Sequence, residues 1–272
     1  MEVLRIGRIQ YANILPVYHF FEHDRVEFKP AVPSQLNAWL EEGAVDLGPV
    51  SSFAYGLHPE RYVVLRDLSV SSRGPVGSIF LVSTLPIPSL HGRTVALTSS
   101  SATSVRLLKI LFARRFEIAP KYVTMDPDLD RMLERADAAL LIGDDALEAA
   151  LNPRGLMMLD LGEAWWEWTG LGMVFAVWAV RRAVAEEAPE LLHSVHRTFR
   201  EARDRGLREI DAVIRAAADC CGGEEQFWRD YYRCLSYDLG EDLLDGLHRY
   251  YQEAHDLGLL PTAARVQLWG DL

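Results

Sequence analysis

The stretch TVALTSSSATSVR, from Thr94 to Arg106, carries the pattern that decides the fold. It begins with a short apolar strand, Thr94 to Leu97, and continues as a hydroxyl-rich turn, Thr98 to Ser104. An amphipathic helix follows from Val105 to Phe116. A buried strand, a polar turn and a helix in this order are typical of parallel sheets covered by helices. The stretch therefore predicts an α/β fold.

The same order recurs nearer the N-terminus. Val3 to Ile9 is a short apolar strand that leads through Asn13 and Pro16 into a helical pattern. Val45 to Val50 is a second apolar run, and two serines follow it directly. Loops that follow the carboxyl ends of parallel strands are common ligand sites. We therefore expect polar residues after several strands to meet at one edge of a sheet.

Two segments predict that the chain crosses between two lobes. The strand Ser78 to Thr84 runs into a poor helix former, Leu85 to Pro88, where we place the first crossing. The β-rich run Met173 to Val180 is interpreted as the return. The expected lobes are residues 1–85 with 175–272, and residues 86–174. The helical C-terminal region is interpreted as packing for the first lobe.

Composition limits the classes of partner. The chain has 272 residues, enough for two lobes, and a formal net charge of -11, which disfavours nucleic acid and anionic membrane surfaces. The opening sequence MEVLRIGRIQY has no secretory pattern, and no run of about 18 apolar residues predicts a membrane span. A cytoplasmic location is therefore expected. The three cysteines lack metal-ligand spacing, and we expect neither a metal nor a cofactor.

The hydroxyl-rich turn is the strongest candidate for a ligand site. Six of its seven residues carry hydroxyls, and a helix N-terminus with flanking hydroxyls binds anions well. A single hydroxyl would be enough for a helix cap, which is the alternative interpretation. The excess favours an anion site, with these candidate substrate-binding residues: Ser99, Ser100, Ser101, Thr103 and Ser104.

Other polar residues follow strands or precede one. Asn13 has an amide that can donate to and accept from a ligand, although Asn is also common in turns. Ser51 and Ser52 follow the apolar run Val45 to Val50, and the same two interpretations apply to them. Ser78 precedes a strand and is either a ligand contact or a hydroxyl bonded to backbone. Asp144 is either part of the site or a helix cap.

No common catalytic motif is visible in the sequence. It contains no GxSxG elbow, no Walker A loop, no HExxH and no GxGxxG after the first strand. The histidines are scattered and none falls in the serine-rich segments. An enzyme built on these residues would depend on positioning, on hydrogen bonds and on a group of the substrate itself.

Six ordered motifs resemble the chorismate dehydratases of the futalosine route to menaquinone. They lie between Ile6 and Arg182 and read IGRIQYANILPVY, DLGPVSSFAY, GPVGSIFLVS, LTSSSATSVRLLK, ADAALLIGDDAL and DLGEAWWEWTGLGMVFAVWAV. The resemblance implies a fold like that of type II periplasmic binding proteins, with the ligand in a cleft between two lobes. It implies chorismate as the substrate and loss of water as the reaction. It also implies that Asn13 and Ser78 are the catalytic candidates.

Three other interpretations share this fold. A solute-binding protein for a small organic acid is the main alternative, and the lack of an export signal counts against it. A related enzyme that acts later in the same route on a naphthoate precursor is the second, but TSSSATS and GDDAL resemble the dehydratases more. A ligand-sensing regulatory domain is the third, and no DNA-binding segment accompanies it.

Overall fold

Two five-stranded sheets form the framework of the molecule in a computed structural model that describes residues 2–270. The first sheet has the order β2-β1-β3-β10-β4, with β1 at Leu4–Ile9, β2 at Val26–Ala31, β3 at Leu47–Ser51, β4 at Tyr62–Ser72 and β10 at Met173–Arg181. The second has the order β7-β6-β8-β5-β9, with β5 at Ile79–Ser83, β6 at Thr94–Thr98, β7 at Lys121–Met125, β8 at Ala138–Ile142 and β9 at Met157–Asp160.

Helices cover the sheets and form the C-terminal region. Those within the α/β part are α1 at Leu15–Tyr18, α2 at Pro33–Glu42, α3 at Ser52–Leu57, α4 at Ala102–Arg114, α5 at Leu129–Leu133, α6 at Gly143–Leu151 and α7 at Leu161–Thr169. The C-terminal helices are α8 at Arg182–Glu187, α9 at Pro189–Arg208, α10 at Ile210–Cys221, α11 at Glu225–Cys234 and α12 at Glu241–Asp256. No helix within residues 2–270 is long and apolar enough to cross a membrane.

The parallel strands bring their carboxyl ends to the same place. In the first sheet β1 is parallel to β2 and β3, whereas β10 is antiparallel to β3 and β4. In the second sheet β6 is parallel to β7 and β8, whereas β5 is antiparallel to β8 and β9. The segments after β1, β3, β6 and β8 therefore share the edges where ligands bind in open α/β sheets.

The first crossing lies earlier than the sequence predicted. Strand β5 pairs with β8 from Ile79 opposite Ile142 to Ser83 opposite Ala138, so β5 belongs to the second sheet. The chain thus changes sheets between Ser72 and Ile79, and not at Leu85 to Pro88. The side-chain pattern of β5 did not reveal this, because an apolar strand with a polar residue at its end can pair in either sheet. Strand β10 lies in the first sheet.

Candidate active site

A cavity lies between the two sheets. Its apolar walls come from both sheets and include Ile9, Val70, Phe175, Ile79 and Ile142. Six polar side chains also line it: Tyr11, Asn13, Ser51, Ser78, Ser101 and Ser104. This mixture of apolar walls and a few polar side chains is typical of a small-molecule site.

Ser51 lines the cavity, and its hydroxyl is available as a hydrogen-bond donor. It ends β3 and caps α3, where its Oγ accepts a hydrogen bond of 3.1 Å from the Ala54 N–H. The same Oγ accepts a hydrogen bond of 3.2 Å from Nδ2 of Asn37. A serine hydroxyl has two acceptor positions and one hydrogen, so both acceptor positions are filled by protein donors. The hydrogen remains for a ligand oxygen.

Ser101 and Ser104 form a comparable pair at the N-terminus of α4. Ser101 Oγ caps the helix by accepting from the Ser104 N–H at 3.2 Å. It donates in turn to Ser104 Oγ at 2.9 Å. Because Ser104 Oγ already accepts this bond, its own hydrogen can be donated to a ligand. The partial positive charge of the helix end favours an anion at this wall.

Ser78 lies on the segment that crosses between the sheets and is fixed on two sides. Its Oγ accepts a hydrogen bond of 3.0 Å from the Tyr231 hydroxyl, and its carbonyl accepts from the Gly143 N–H at 2.9 Å. Two preceding amides, those of Val76 and Gly77, donate to the carboxylate of Asp160 at 3.0 and 2.7 Å. These hydrogen bonds restrain the crossing segment.

Asp160 is a buried carboxylate that ends β9 and caps α7. Besides the crossing segment, it accepts from the amides of Gly162 and Glu163 at 2.8 and 3.0 Å. Burial raises the pKa of this carboxyl, and the backbone N–H donors act in the opposite direction. No ligand-binding motif marks Asp160 in the sequence, although Asp before Leu161-Gly162-Glu163 is a helix-capping pattern that predicts its role at the start of α7.

Asn13 places a hydrogen-bond acceptor, its side-chain Oδ1, at the cavity, and no described residue donates to it. Its Oδ1 is buried and has no hydrogen-bond partner in the part of the chain that the structure describes. Its carbonyl accepts from the Tyr237 hydroxyl at 2.7 Å, and the preceding carbonyl of Ala12 accepts from the Tyr232 hydroxyl at 3.0 Å. A buried acceptor left unpaired costs about 1–3 kcal/mol. A ligand hydroxyl that donates to Oδ1 would remove this cost.

Gly143 opens the wall at the N-terminus of α6. Its φ is +59°, and a Cβ there would lie 2.8 Å from the Tyr11 ring. Only glycine therefore fits, and bare backbone faces the cavity at this position. Tyr11 is the one titratable residue among the cavity-lining side chains of residues 2–270, and burial raises the pKa of its hydroxyl.

Five candidates from the sequence lie away from the cavity lining. Ser52 Oγ donates to the Val174 carbonyl at 2.7 Å, and Thr103 Oγ1 donates to the Phe175 carbonyl at 3.1 Å. Ser100 Oγ shares a hydrogen bond of 2.7 Å with Thr98 Oγ1, and the exposed Ser99 donates through Oγ to Asp126 at 2.9 Å. Asp144 Oδ1 accepts from the Ala12 N–H at 3.2 Å. These groups bond to protein, and Ser52, Thr103 and Asp144 brace the cavity walls.

The C-terminal region does more than pack, which corrects the expectation from the sequence. The hydroxyls of three tyrosines, Tyr231, Tyr232 and Tyr237, bond to Ser78, Ala12 and Asn13. The helical pattern of the tail gave no signal for this, because a buried tyrosine looks like a core residue in sequence. Arg73, in the segment between β4 and β5, also binds this region through ion pairs with Asp238 and Asp242.

Metal ligands are not gathered anywhere in residues 2–270, since no group of three or more His, Cys, Asp or Glu side chains there could hold an ion.

Comparisons with known proteins agree with this architecture. The model of a family described as menaquinone biosynthesis matches residues 4–256. A chorismate dehydratase of Thermus thermophilus is 35% identical over 269 residues, covering 93% of this chain and 95% of the relative. A 1,4-dihydroxy-6-naphtoate synthase of the same organism is 30% identical over 278 residues, covering 97% and 98%.

A solved structure establishes the fold class. The periplasmic aliphatic sulphonate binding protein of Escherichia coli superposes with a TM-score of 0.69 at 17% identity, covering 100% of this chain and 95% of that one. The α/β fold of periplasmic binding proteins, with a helical C-terminal region, is thereby confirmed. The family match over most of the length, the two relatives and the cavity between the sheets lead to one conclusion: the chain belongs to the menaquinone biosynthesis family.

Proposed function

We propose that this chain is a chorismate dehydratase, a hydro-lyase that converts chorismate into 3-[(1-carboxyvinyl)oxy]benzoate and water. The observation that carries the proposal is the 35% identity with a chorismate dehydratase over 93% of the chain. The same similarity to a biosynthetic enzyme supports a cytoplasmic location. We propose that the reaction takes place in the cavity between the sheets.

The polar groups of the cavity suit the substrate. Chorismate carries two carboxylates, one on the ring and one on the enolpyruvyl ether, and these need hydrogen-bond donors. Ser51, Ser78 and Ser104 each have a protein donor on Oγ and so offer their hydrogens. Asn13 Oδ1 has no donor and would accept from the ring hydroxyl. We therefore propose that Ser51 and Ser104 donate to the carboxylates, that Ser78 donates to the ether oxygen, and that Asn13 accepts from the ring hydroxyl.

The proposed chemistry is an elimination across two neighbouring ring carbons. The carbon that bears the ether oxygen loses its proton, and the electrons of that C–H bond form the new ring double bond. The adjacent carbon loses its hydroxyl together with the C–O bonding pair, and the hydroxide combines with a proton to give water. The ring becomes aromatic, which drives the reaction. Asn13 and Ser78 are proposed to hold the ring hydroxyl and the ether during this step.

We propose that the substrate's own enolpyruvyl carboxylate accepts the ring proton. Among the described residues that line the cavity, Tyr11 alone titrates, and burial favours its neutral hydroxyl. A carboxylate fixed beside the reacting C–H has a high effective concentration, so a weak base is sufficient. Residues from both sheets contact the cavity, and closing them around the substrate would exclude water. We propose that the two sheets and their helices are the two lobes.

Incubation of the purified protein with chorismate, without added metal or cofactor, tests the proposal. The expected product is lighter by one water, retains its enolpyruvyl group and absorbs as a substituted benzoate. Chorismate that stays unchanged beside a protein-free control would reject the proposal. Tight binding of an organic acid without turnover would favour the solute-binding alternative.

The similarity to a 1,4-dihydroxy-6-naphtoate synthase supports a second candidate activity. Identity is lower for this relative, 30% against 35%. Assays of the purified protein with chorismate and, in parallel, with the substrate of that relative distinguish the two candidate activities. Turnover of chorismate alone supports the dehydratase, and turnover of the other substrate alone supports the synthase.

A further inference from the structure

We infer that Asn37 is a positioning residue that fixes the direction of the Ser51 hydroxyl hydrogen and thereby makes Ser51 a dedicated donor to the substrate. The inference rests on the proposed function for the identity of the substrate. It adds a residue that neither the sequence motifs nor the cavity lining indicates. Asn37 lies on α2, behind Ser51, where it lines a neighbouring cavity bounded by α2, α3 and α4.

The side chain of Asn37 grips Ser51 at two points. Oδ1 of Asn37 accepts from the Ser51 N–H at 3.0 Å, and Nδ2 donates to Ser51 Oγ at 3.2 Å. The first contact fixes the orientation of the amide, because only the oxygen can accept from an N–H. The amide nitrogen must then face the hydroxyl. The two bonds therefore determine each other's direction.

Together with the backbone, this grip leaves one direction for the hydroxyl hydrogen. Ser51 Oγ accepts from both Asn37 Nδ2 and the Ala54 N–H. Ser51 is only 5% exposed and lines the active-site cavity. Its hydrogen consequently points to whatever occupies that cavity, and a carboxylate oxygen fits where a second donor would not. Hydrogen bonds prepared in advance avoid reorganisation when the substrate binds.

The substitution Asn37→Asp reverses this arrangement with little change in shape. One carboxylate oxygen can still accept from the Ser51 N–H, and the other replaces Nδ2. That oxygen cannot donate, so the Ser51 hydroxyl donates to it and its hydrogen turns away from the substrate. The new negative charge is controlled by Gln35→Glu, the same amide-to-carboxylate change at an exposed position of the same helix.

The experiment is a double-substitution cycle between Asn37 and Ser51. The Kd of 3-[(1-carboxyvinyl)oxy]benzoate is measured by calorimetry, and kcat and KM for chorismate are measured in parallel. The proteins are the wild type, the single variants Asn37→Asp, Gln35→Glu and Ser51→Ala, and the double variant that combines Asn37→Asp with Ser51→Ala. Asn37→Ala, which introduces no charge, is carried through the same cycle so that one poorly folded variant does not decide the result.

Asn37→Asp should raise Kd and KM at least about tenfold, as expected for a lost hydrogen bond to a charged group. Gln35→Glu should change them by less than about twofold, and in the Ser51→Ala background Asn37→Asp should add less than about twofold. Equal effects in both backgrounds, or no effect, would overturn the inference. If product binding shows this coupling across the variants but the wild-type protein leaves chorismate unchanged, only the proposed function is contradicted. Turnover with additive effects would contradict the positioning role alone.

Discussion

The hydroxyl of Tyr231 donates a 3.0 Å hydrogen bond to Oγ of Ser78, and this bond ties helix α11 to the segment that crosses between the sheets. Both groups are buried. Burial raises the pKa of Tyr231, so its hydroxyl remains a donor throughout the neutral range. The C-terminal region thus helps to determine which way the Ser78 hydrogen points.

Replacing Tyr231 with Phe should lower kcat for chorismate by about 3- to 10-fold, corresponding to the loss of one hydrogen bond worth about 0.5–1.5 kcal/mol. The Ser78 hydroxyl would then be free to rotate. Steady-state kinetics measure the effect. Tyr18→Phe is the matched control, because that buried hydroxyl donates to the Gly7 carbonyl away from the cavity. An equal loss of kcat in both variants would mean that Tyr231 contributes to stability only.

Asn13→Ala and Ser78→Ala should each lower kcat much more than they raise KM. We expect a loss of at least about 100-fold in kcat for each variant. Ser78→Ala removes a donor to the ether oxygen in the transition state, and Asn13→Ala removes the acceptor that holds the ring hydroxyl in position. Unchanged turnover in both variants would reject their assignment as catalytic residues.

Gly143→Ala should raise KM for chorismate and lower the Tm. The new Cβ would lie 2.8 Å from the Tyr11 ring, and the residue has a φ of +59°, which costs a non-glycine residue about 1–2 kcal/mol. The Tyr11 ring would have to move into the cavity. Gly155→Ala is the control, because Gly155 has a φ of +73° and no atom within 4 Å of the added Cβ. If both variants raise KM equally, steric contact with Tyr11 is not the cause.

The pH profile of kcat/KM should be flat between about pH 6 and pH 9, because no cavity-lining side chain among residues 2–270 titrates there. Burial raises the pKa of the Tyr11 hydroxyl above its ordinary value of 10.0, so any decrease in kcat/KM caused by its ionisation should occur above pH 10. The substrate carboxylates are ionised throughout this range. A bell-shaped profile with a pKa near 7 would show that a protein base takes the proton.

The sequence predicted the parts of the fold that depend on local patterns. The alternation around Thr94 to Arg106 correctly predicted a strand followed by a helix, although α4 begins at Ala102 and not at Val105. Ser101 is the observed cap of α4, the role that the sequence left as the alternative to an anion site. The crossing was misplaced because the pairing of β5 with β8 is a long-range property. A strand pattern records which side chains are apolar, and it does not record which sheet the strand joins.

The candidate site was predicted in part for a similar reason. Asn13, Ser51, Ser78, Ser101 and Ser104 line the cavity, and each follows or precedes a strand in the sequence. Ser52 and Thr103 occur in the same motifs but donate to backbone carbonyls instead. Neighbouring hydroxyls on a helix turn face different directions, and this distinction needs coordinates. The tyrosines of the tail are more than 150 residues away from Ser78, so no local pattern links them.

The most direct test uses chorismate labelled with ¹⁸O at the ring hydroxyl. The protein should release water that carries the label, together with an unlabelled aromatic product that retains its enolpyruvyl ether. Label retained in the product, loss of the enolpyruvyl group, or chorismate that is unchanged beside a protein-free control would each contradict the proposed dehydration.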